Sequence, residues 1–107
     1  NIGLINQTMS KLNEENLKEL TSEAIKEYNS VSSKNEKIKD NLSHSILGEE
    51  SNLDSLAFIT FIIILQKKLE KFNFKVNLAI EISKKNMNSL DLKNLIKLID
   101  DINQRKN

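Results

Sequence analysis

The stretch "NLDSLAFITFIIILQKKLEKF", Asn52–Phe72, decides the fold because it holds the densest apolar run of the chain. Its many β-branched residues would also suit a buried strand. The apolar pattern nevertheless continues through Leu65, Leu69 and Phe72, well past the roughly ten residues at which strands usually stop. The stretch therefore predicts a helix over Ser55–Phe72.

The start of this helix raises the question of what Ser55 does. Asp54 is a good N-cap type, and Leu53 and Phe58 then have the spacing of a hydrophobic staple. Local physics favours a purely structural Ser55 in the first turn. The functional alternative is a phosphate attached to its hydroxyl, which would meet free backbone N–H groups and the positive end of the helix dipole. Ser55 is a poor hydrolytic nucleophile, because the sequence shows no residue close to it that could act as a general base.

Composition excludes several classes of function. The 107 residues suit one domain, and the absence of Cys rules out disulfides and thiolate metal sites. A single histidine, His44, argues against a His-based metal site or a catalytic triad. Sixteen basic and fifteen acidic residues give a net charge of +1, which argues against a nucleic-acid binder. The longest apolar run, Leu56 to Leu65, is far shorter than the ~20 residues of a membrane span.

The rest of the chain predicts further helices. Apolar residues at spacings of three and four indicate a first helix over Asn13–Asn29 and a last helix over Leu90–Ile102, capped by Ser89. A short helix is expected near Leu78–Ile82, and Ser30–Asn41 is polar and predicts a long loop. The apolar face of the first helix comprises Leu17, Leu20, Ala24, Tyr28 and Val31, and that of the last comprises Leu92, Leu95, Ile96, Ile99 and Ile102.

These segments predict an all-α fold. With no Pro and two Gly, a many-turned β-sandwich is disfavoured. We expect a small four-helix bundle, with three main helices, one short helix and a long loop between the first and second. Residues 1–11 are interpreted as an N-terminal extension, such as a leader or tag-derived segment, residues 12–104 as the bundle, and residues 105–107 as a C-terminal tail.

A longer pattern resembles a known family. The segment "ILGEESNLDSLAFITFIIILQKKLEKFNFKVNL", Ile46–Leu78, resembles the phosphopantetheine-attachment region of acyl carrier proteins. It has an apolar-Leu-Gly turn, an acidic stretch, the triplet D-S-L and an apolar helix. "SLDLKNLIKLIDDI", Ser89–Ile102, looks like the last helix of that family, and "SEAIKEYN", Ser22–Asn29, resembles the end of its first helix. The resemblance covers about residues 12–102.

The resemblance implies a function that is not enzymatic. In such carriers, a phosphopantetheinyl transferase attaches 4′-phosphopantetheine from coenzyme A to the motif serine, here Ser55. The thiol of the arm then holds an acyl or aminoacyl group as a thioester, which a loading ligase supplies and a downstream transferase consumes. Asp54 is expected to fix the helix start, and Leu56 to contact partner enzymes. Composition disfavours a metal site, a membrane span and a nucleic-acid partner, and the absence of Cys fits a reducing compartment. We therefore expect a cytoplasmic monomer.

The chain departs from the family in the helix after Ser55. Carriers of fatty acid synthesis usually have an acidic helix there, whereas this one is apolar and then basic. We therefore expect a more apolar partner face, and a dedicated carrier for a specialised biosynthetic pathway. D-alanyl and peptidyl carriers resemble this chain around the serine as well. The predicted docking residues are Leu56, Ala57, Thr60 and Ile63.

Two alternatives without a prosthetic group stay open. In the first, the chain is a helical interaction module, Ser55 is merely the first helical residue, and the apolar helix mediates binding or dimerisation. In the second, a carrier-like domain has lost the modification and acts as a scaffold. The presence of the serine itself speaks against this second alternative.

Overall fold

A computed structural model describes residues 12–106, with side chains through residue 105. The described chain forms four helices and one small antiparallel sheet: α1 (Glu14–Val31), β1 (Ser45–Leu47), α2 (Ser55–Glu70), α3 (Leu78–Lys85), β2 (Leu90–Asp91) and α4 (Leu92–Lys106). This order confirms the prediction of a small helical bundle with three main helices and one short one. The predicted N-terminal extension, residues 1–11, lies outside the described residues.

The helix boundaries follow from local capping. The side chain of Asn13 accepts from the N–H of Asn16 at the start of α1, and Asn77 does the same for Ile80 at the start of α3. Helix α2 ends two residues earlier than predicted, because the chain turns through Asn73, whose φ of 66° is left-handed. Asparagine tolerates this conformation better than most residues.

The start of α4 differs from the prediction. The helix begins at Leu92 rather than Leu90, because Leu90 and Asp91 pair with β1. Asp91 Oδ1 accepts from the N–H of Asn94 at 2.8 Å, so Asp91 takes the capping position that was assigned to Ser89. Helix α4 also runs through Lys106, which places Arg105 within it rather than in the predicted tail.

The long connection between α1 and α2 is ordered by hydrogen bonds. It contains a 3₁₀ turn, Lys34–Glu36, and the strand β1. The carbonyls of Leu42 and His44 accept from the N–H groups of Lys93 and Leu92, so the loop satisfies the first donors of α4. This loop therefore joins the start of α2 to the start of α4.

The core lies between the three long helices. Apolar side chains that recur at helical spacing are buried, as predicted for α1 and α4, with one exception. Val31 was assigned to the apolar face of α1 but is 70% exposed, because it is the last residue of the helix. Among residues 12–106, no helix has the length and apolarity that crossing a membrane requires. The fully buried side chains include Leu17, Tyr28, Ile46, Phe61, Leu65, Leu69, Leu78, Leu92, Leu95 and Ile99.

Candidate functional site

Ser55 is the first residue of α2 and is exposed to solvent. Asp54, in an extended conformation, precedes it, and its Oδ1 accepts from the N–H of Ala57 at 2.7 Å. The Asp54 carbonyl accepts from the N–H of Phe58 at 2.9 Å. The predicted cap is therefore confirmed, and it leaves the Ser55 side chain free of a capping role.

The first turn of α2 keeps two unused donors. Among the residues that the structure describes, the backbone N–H groups of Ser55 and Leu56 and the Ser55 hydroxyl donate no hydrogen bond. Unpaired N–H groups at a helix start carry the positive end of the helix dipole and favour an anion. The Ser55 hydroxyl thus lies beside a local environment that suits an attached phosphate.

The backbone of Asp54 is held by the connection between α1 and α2. Glu36 accepts from the Asp54 N–H through Oε2 at 3.1 Å and from the Ser33 hydroxyl through Oε1 at 3.0 Å. The hydroxyl of Tyr28 donates to the Glu36 carbonyl at 2.7 Å. The end of α1, the 3₁₀ turn and the start of α2 are therefore linked through Glu36.

Asn52 holds the loop just before the site. Its Nδ2 donates to the carbonyls of Asn35 at 3.0 Å and Lys37 at 2.9 Å, and its Oδ1 lies 3.1 Å from His44 Nε2. Because Oδ1 only accepts, Nε2 carries the proton in this contact. His44 Nδ1 lies 3.5 Å from the Lys39 N–H. Both ring nitrogens are thus engaged with the loop, which gives His44 a structural role that the sequence did not indicate.

Two carboxylates, Glu36 and Asp54, lie near the site and affect Tyr28. Burial raises the pKa of Tyr28, and the charges of Glu36 and Asp54 raise this pKa further. Within the described part of the chain, the ion pairs are Lys68–Glu27 and Lys84–Glu81, so neither Glu36 nor Asp54 has a cationic partner within 4 Å. The two carboxylates therefore remain available to a cation from outside.

The predicted docking face is exposed only in part. Leu56 is 75% exposed and Ile63 48%, and Thr60 is half-buried with its hydroxyl bonded to the Leu56 carbonyl. Ala57 is buried at 8% exposure and lines a cleft at the start of α2 together with Leu56 and Thr60, so its docking role stays a prediction. Helix α2 packs closely on α1, and Ala57 belongs to the buried side. Ile59, which is 38% exposed, was missed although it lies three residues after Leu56.

A small cleft lies between the end of α1 and the start of α2. Its volume is about 190 Å³, and its lining includes Val31, Leu56, Tyr28, Glu36 and Asp54. A larger groove of about 430 Å³ lies between α1 and α4, where Glu14, Lys18 and Asp101 are among the lining residues. The first of these cavities adjoins the Ser55 end of α2, and the second does not.

Removing the cap should weaken the site locally. Asp54→Ala leaves the Ala57 N–H without its acceptor, so we expect the free energy of unfolding to fall by about 1 kcal/mol. Asp54→Asn keeps an acceptor oxygen and should remain within a few tenths of a kcal/mol of the wild type. Urea unfolding of the three proteins measures the difference. Equal stability of Asp54→Ala and the wild type would contradict the capping role.

Comparison with known proteins supplies no relative. No protein-family model, no curated protein and no solved structure matches this chain. The sequence-predicted residues Asp54, Ser55 and Leu56 do come together at the exposed start of α2.

Proposed function

We propose that this chain is a stand-alone carrier protein, which bears acyl or aminoacyl groups as thioesters on a 4′-phosphopantetheine arm attached to Ser55. The observation that carries the proposal is the exposed Ser55 hydroxyl, at the first position of a 16-residue helix beside two unused N–H donors. The order of the helices and the long first connection support it as well. The chain is then a substrate of enzymes rather than an enzyme.

The residues present fit a phosphodiester at this position. The N–H groups of Ser55 and Leu56 would donate to its oxygens, and the dipole of α2 would favour its charge. One oxygen of the Asp54 carboxylate accepts from the Ala57 N–H in the cap. This hydrogen bond offsets part of the repulsion between the carboxylate and a phosphate on Ser55. The arm would supply a thiol, which this chain lacks because it contains no cysteine.

Among the described residues, none that could act as a base is hydrogen-bonded to the Ser55 hydroxyl. Both nitrogens of His44 are engaged with Asn52 and Lys39. Glu36 accepts two hydrogen bonds that hold Asp54 and Ser33 in place. The proton of the Ser55 hydroxyl must therefore leave to a group on the partner transferase, which agrees with a protein that is modified by another enzyme.

Three further features belong to the same proposal. The helix α2 is apolar in its first part and basic in its last part, which favours a carrier for a specialised pathway. D-alanyl and peptidyl carriers are variants of the same function, with aminoacyl or peptidyl cargo. The absence of cysteine agrees with a reducing compartment, so the proposal places the chain in the cytoplasm. The proposal also takes the carrier to act as a monomer. Its partners would be the transferase, a loading ligase and a downstream transferase.

A different class of function has one observation in its favour. Leu56, Ile59 and Ile63 are exposed at the spacing of one helix face. Such a stripe on α2 would also suit a helical interaction module without a prosthetic group. This alternative predicts binding that is independent of the Ser55 hydroxyl.

Intact mass after modification separates the two functions. The protein is incubated with coenzyme A and a broad-specificity phosphopantetheinyl transferase, and the mass is measured. We expect the wild type to gain one phosphopantetheine and Ser55→Ala to gain none, because the variant lacks the acceptor oxygen. Unmodified wild type with several transferases would favour the interaction module. Both proteins should unfold at similar urea concentrations, since Ser55 is exposed.

A further inference from the structure

Val31 and Leu56 are the two most exposed large apolar side chains among residues 12–105. They are 70% and 75% exposed, and they line the same cleft although they come from different helices. Val31 ends α1, and Leu56 is the second residue of α2. Exposed apolar side chains are common singly, but two that line one cleft beside a reactive group point to a contact with another molecule.

The rim of this cleft carries unpaired negative charge. Glu36 and Asp54 line it, and within the described residues neither has a cation within 4 Å. The nearby Lys37 ammonium donates to the carbonyls of Asn29 and Ser32 at the end of α1. Lys37 is therefore engaged with the helix terminus, and the rim stays complementary to a cation brought by a partner.

The size of the cleft selects the kind of occupant. At about 190 Å³ it is smaller than the ~300 Å³ at which pockets for small molecules begin. A cleft of this size, with the exposed apolar side chains of Val31 and Leu56 in its lining, suits a single apolar side chain. Binding surfaces often gain most of their affinity from one such buried anchor with a polar rim.

We propose that the transferase acting on Ser55 docks in this cleft, inserting an apolar side chain between Val31 and Leu56 and placing a Lys or Arg against Glu36 and Asp54. The inference rests on the proposed carrier function. It moves the docking surface from the outer face of α2 alone to the junction of α1 and α2. It also assigns a role to Val31, a residue that lies 24 positions before Ser55 in the chain.

Steady-state kinetics of the modification test this docking. Val31→Ser replaces one of the exposed apolar side chains of the cleft with a polar one. We expect the KM of the transferase for the variant carrier to rise about five- to tenfold, with little change in kcat. Leu42→Ser is the matched control. Leu42 is 44% exposed and lines the separate groove between α1 and α4. The KM for the Leu42→Ser protein should therefore stay within twofold of that for the wild type.

A second variant tests the charged rim. Glu36→Gln removes the charge and keeps one oxygen, which can still accept from the Asp54 N–H, while its amide N–H can donate to the Ser33 hydroxyl. We expect its KM to rise about threefold at low salt, and added salt to raise its KM less steeply than that of the wild type. Urea unfolding of each variant checks that the fold is kept.

The outcomes distinguish the two claims. If no transferase modifies the wild type, the carrier function fails and the docking inference falls with it. If the wild type is modified and the two variants match its KM and salt dependence, the docking inference alone is overturned. It is also overturned if Leu42→Ser raises KM as much as Val31→Ser does. A Val31→Ser protein with normal KM but a less stable modified form would assign the cleft to the arm instead.

Discussion

Phe61→Ala is expected to lower the free energy of unfolding by about 3 to 5 kcal/mol. Phe61 is fully buried in the middle of α2, and its ring meets that of Tyr28 edge to face, with centroids 5.9 Å apart and planes at 77°. The variant loses buried apolar area and this aromatic contact, and it leaves a cavity between α1 and α2. Small domains have only about 5 to 15 kcal/mol of stability, so the loss removes a large part of it.

The matched control for this change is Ile63→Ala. Ile63 lies two residues further along the same helix but is 48% exposed, so its truncation should cost about 1 kcal/mol or less. Urea unfolding curves with a common slope measure both differences. Similar losses for the two variants would mean that α2 does not bury its Phe61 side as described.

Gly48→Ala is expected to cost about 1 to 3 kcal/mol from backbone strain alone. Gly48 has a φ of +108°, which side chains other than glycine rarely adopt. A Cβ there would also lie 2.6 Å from the carbonyl oxygen of Asn88, so the loop before α4 must shift. This loop is joined to β1, so the change should also loosen the connection that leads to Ser55.

Glu49→Ala, at the neighbouring exposed position, is the control for Gly48→Ala. It should remain within about 0.5 kcal/mol of the wild type, as is usual for surface substitutions. Thermal or urea unfolding provides the measurement for both. If Gly48→Ala proves as stable as Glu49→Ala, Gly48 does not lie against the Asn88 carbonyl with a positive φ.

The parts of the fold that sequence predicted are those with long apolar periodicity. Helices α1 and α2 span four turns or more, so the spacing of their apolar residues repeats often enough to be recognised in the sequence. The N-cap Asp54 was predictable because capping depends on residue type within one turn. The exposed position of Ser55 at the start of α2 was therefore predictable from local chemistry.

The errors arose where distant segments decide the local structure. The strands β1 and β2 have three and two residues, and their pairing joins Ser45 to Asp91, which are separated by about half of the described residues. This pairing moves the start of α4 to Leu92, which the apolar pattern alone does not reveal. The exposure of Val31 and the burial of Ala57 did not follow from the sequence, because they depend on where α1 ends and how it packs on α2.

Fragmentation mass spectrometry of the modified protein tests the central claim most directly. Cleavage after lysine gives the peptide Asp40–Lys67, which contains four serines, so fragment masses must identify the modified one. We predict the phosphopantetheine on Ser55 alone, at the exposed start of α2. Modification of Ser43, Ser45 or Ser51, or a peptide that stays unmodified in the presence of active transferase, would contradict the account.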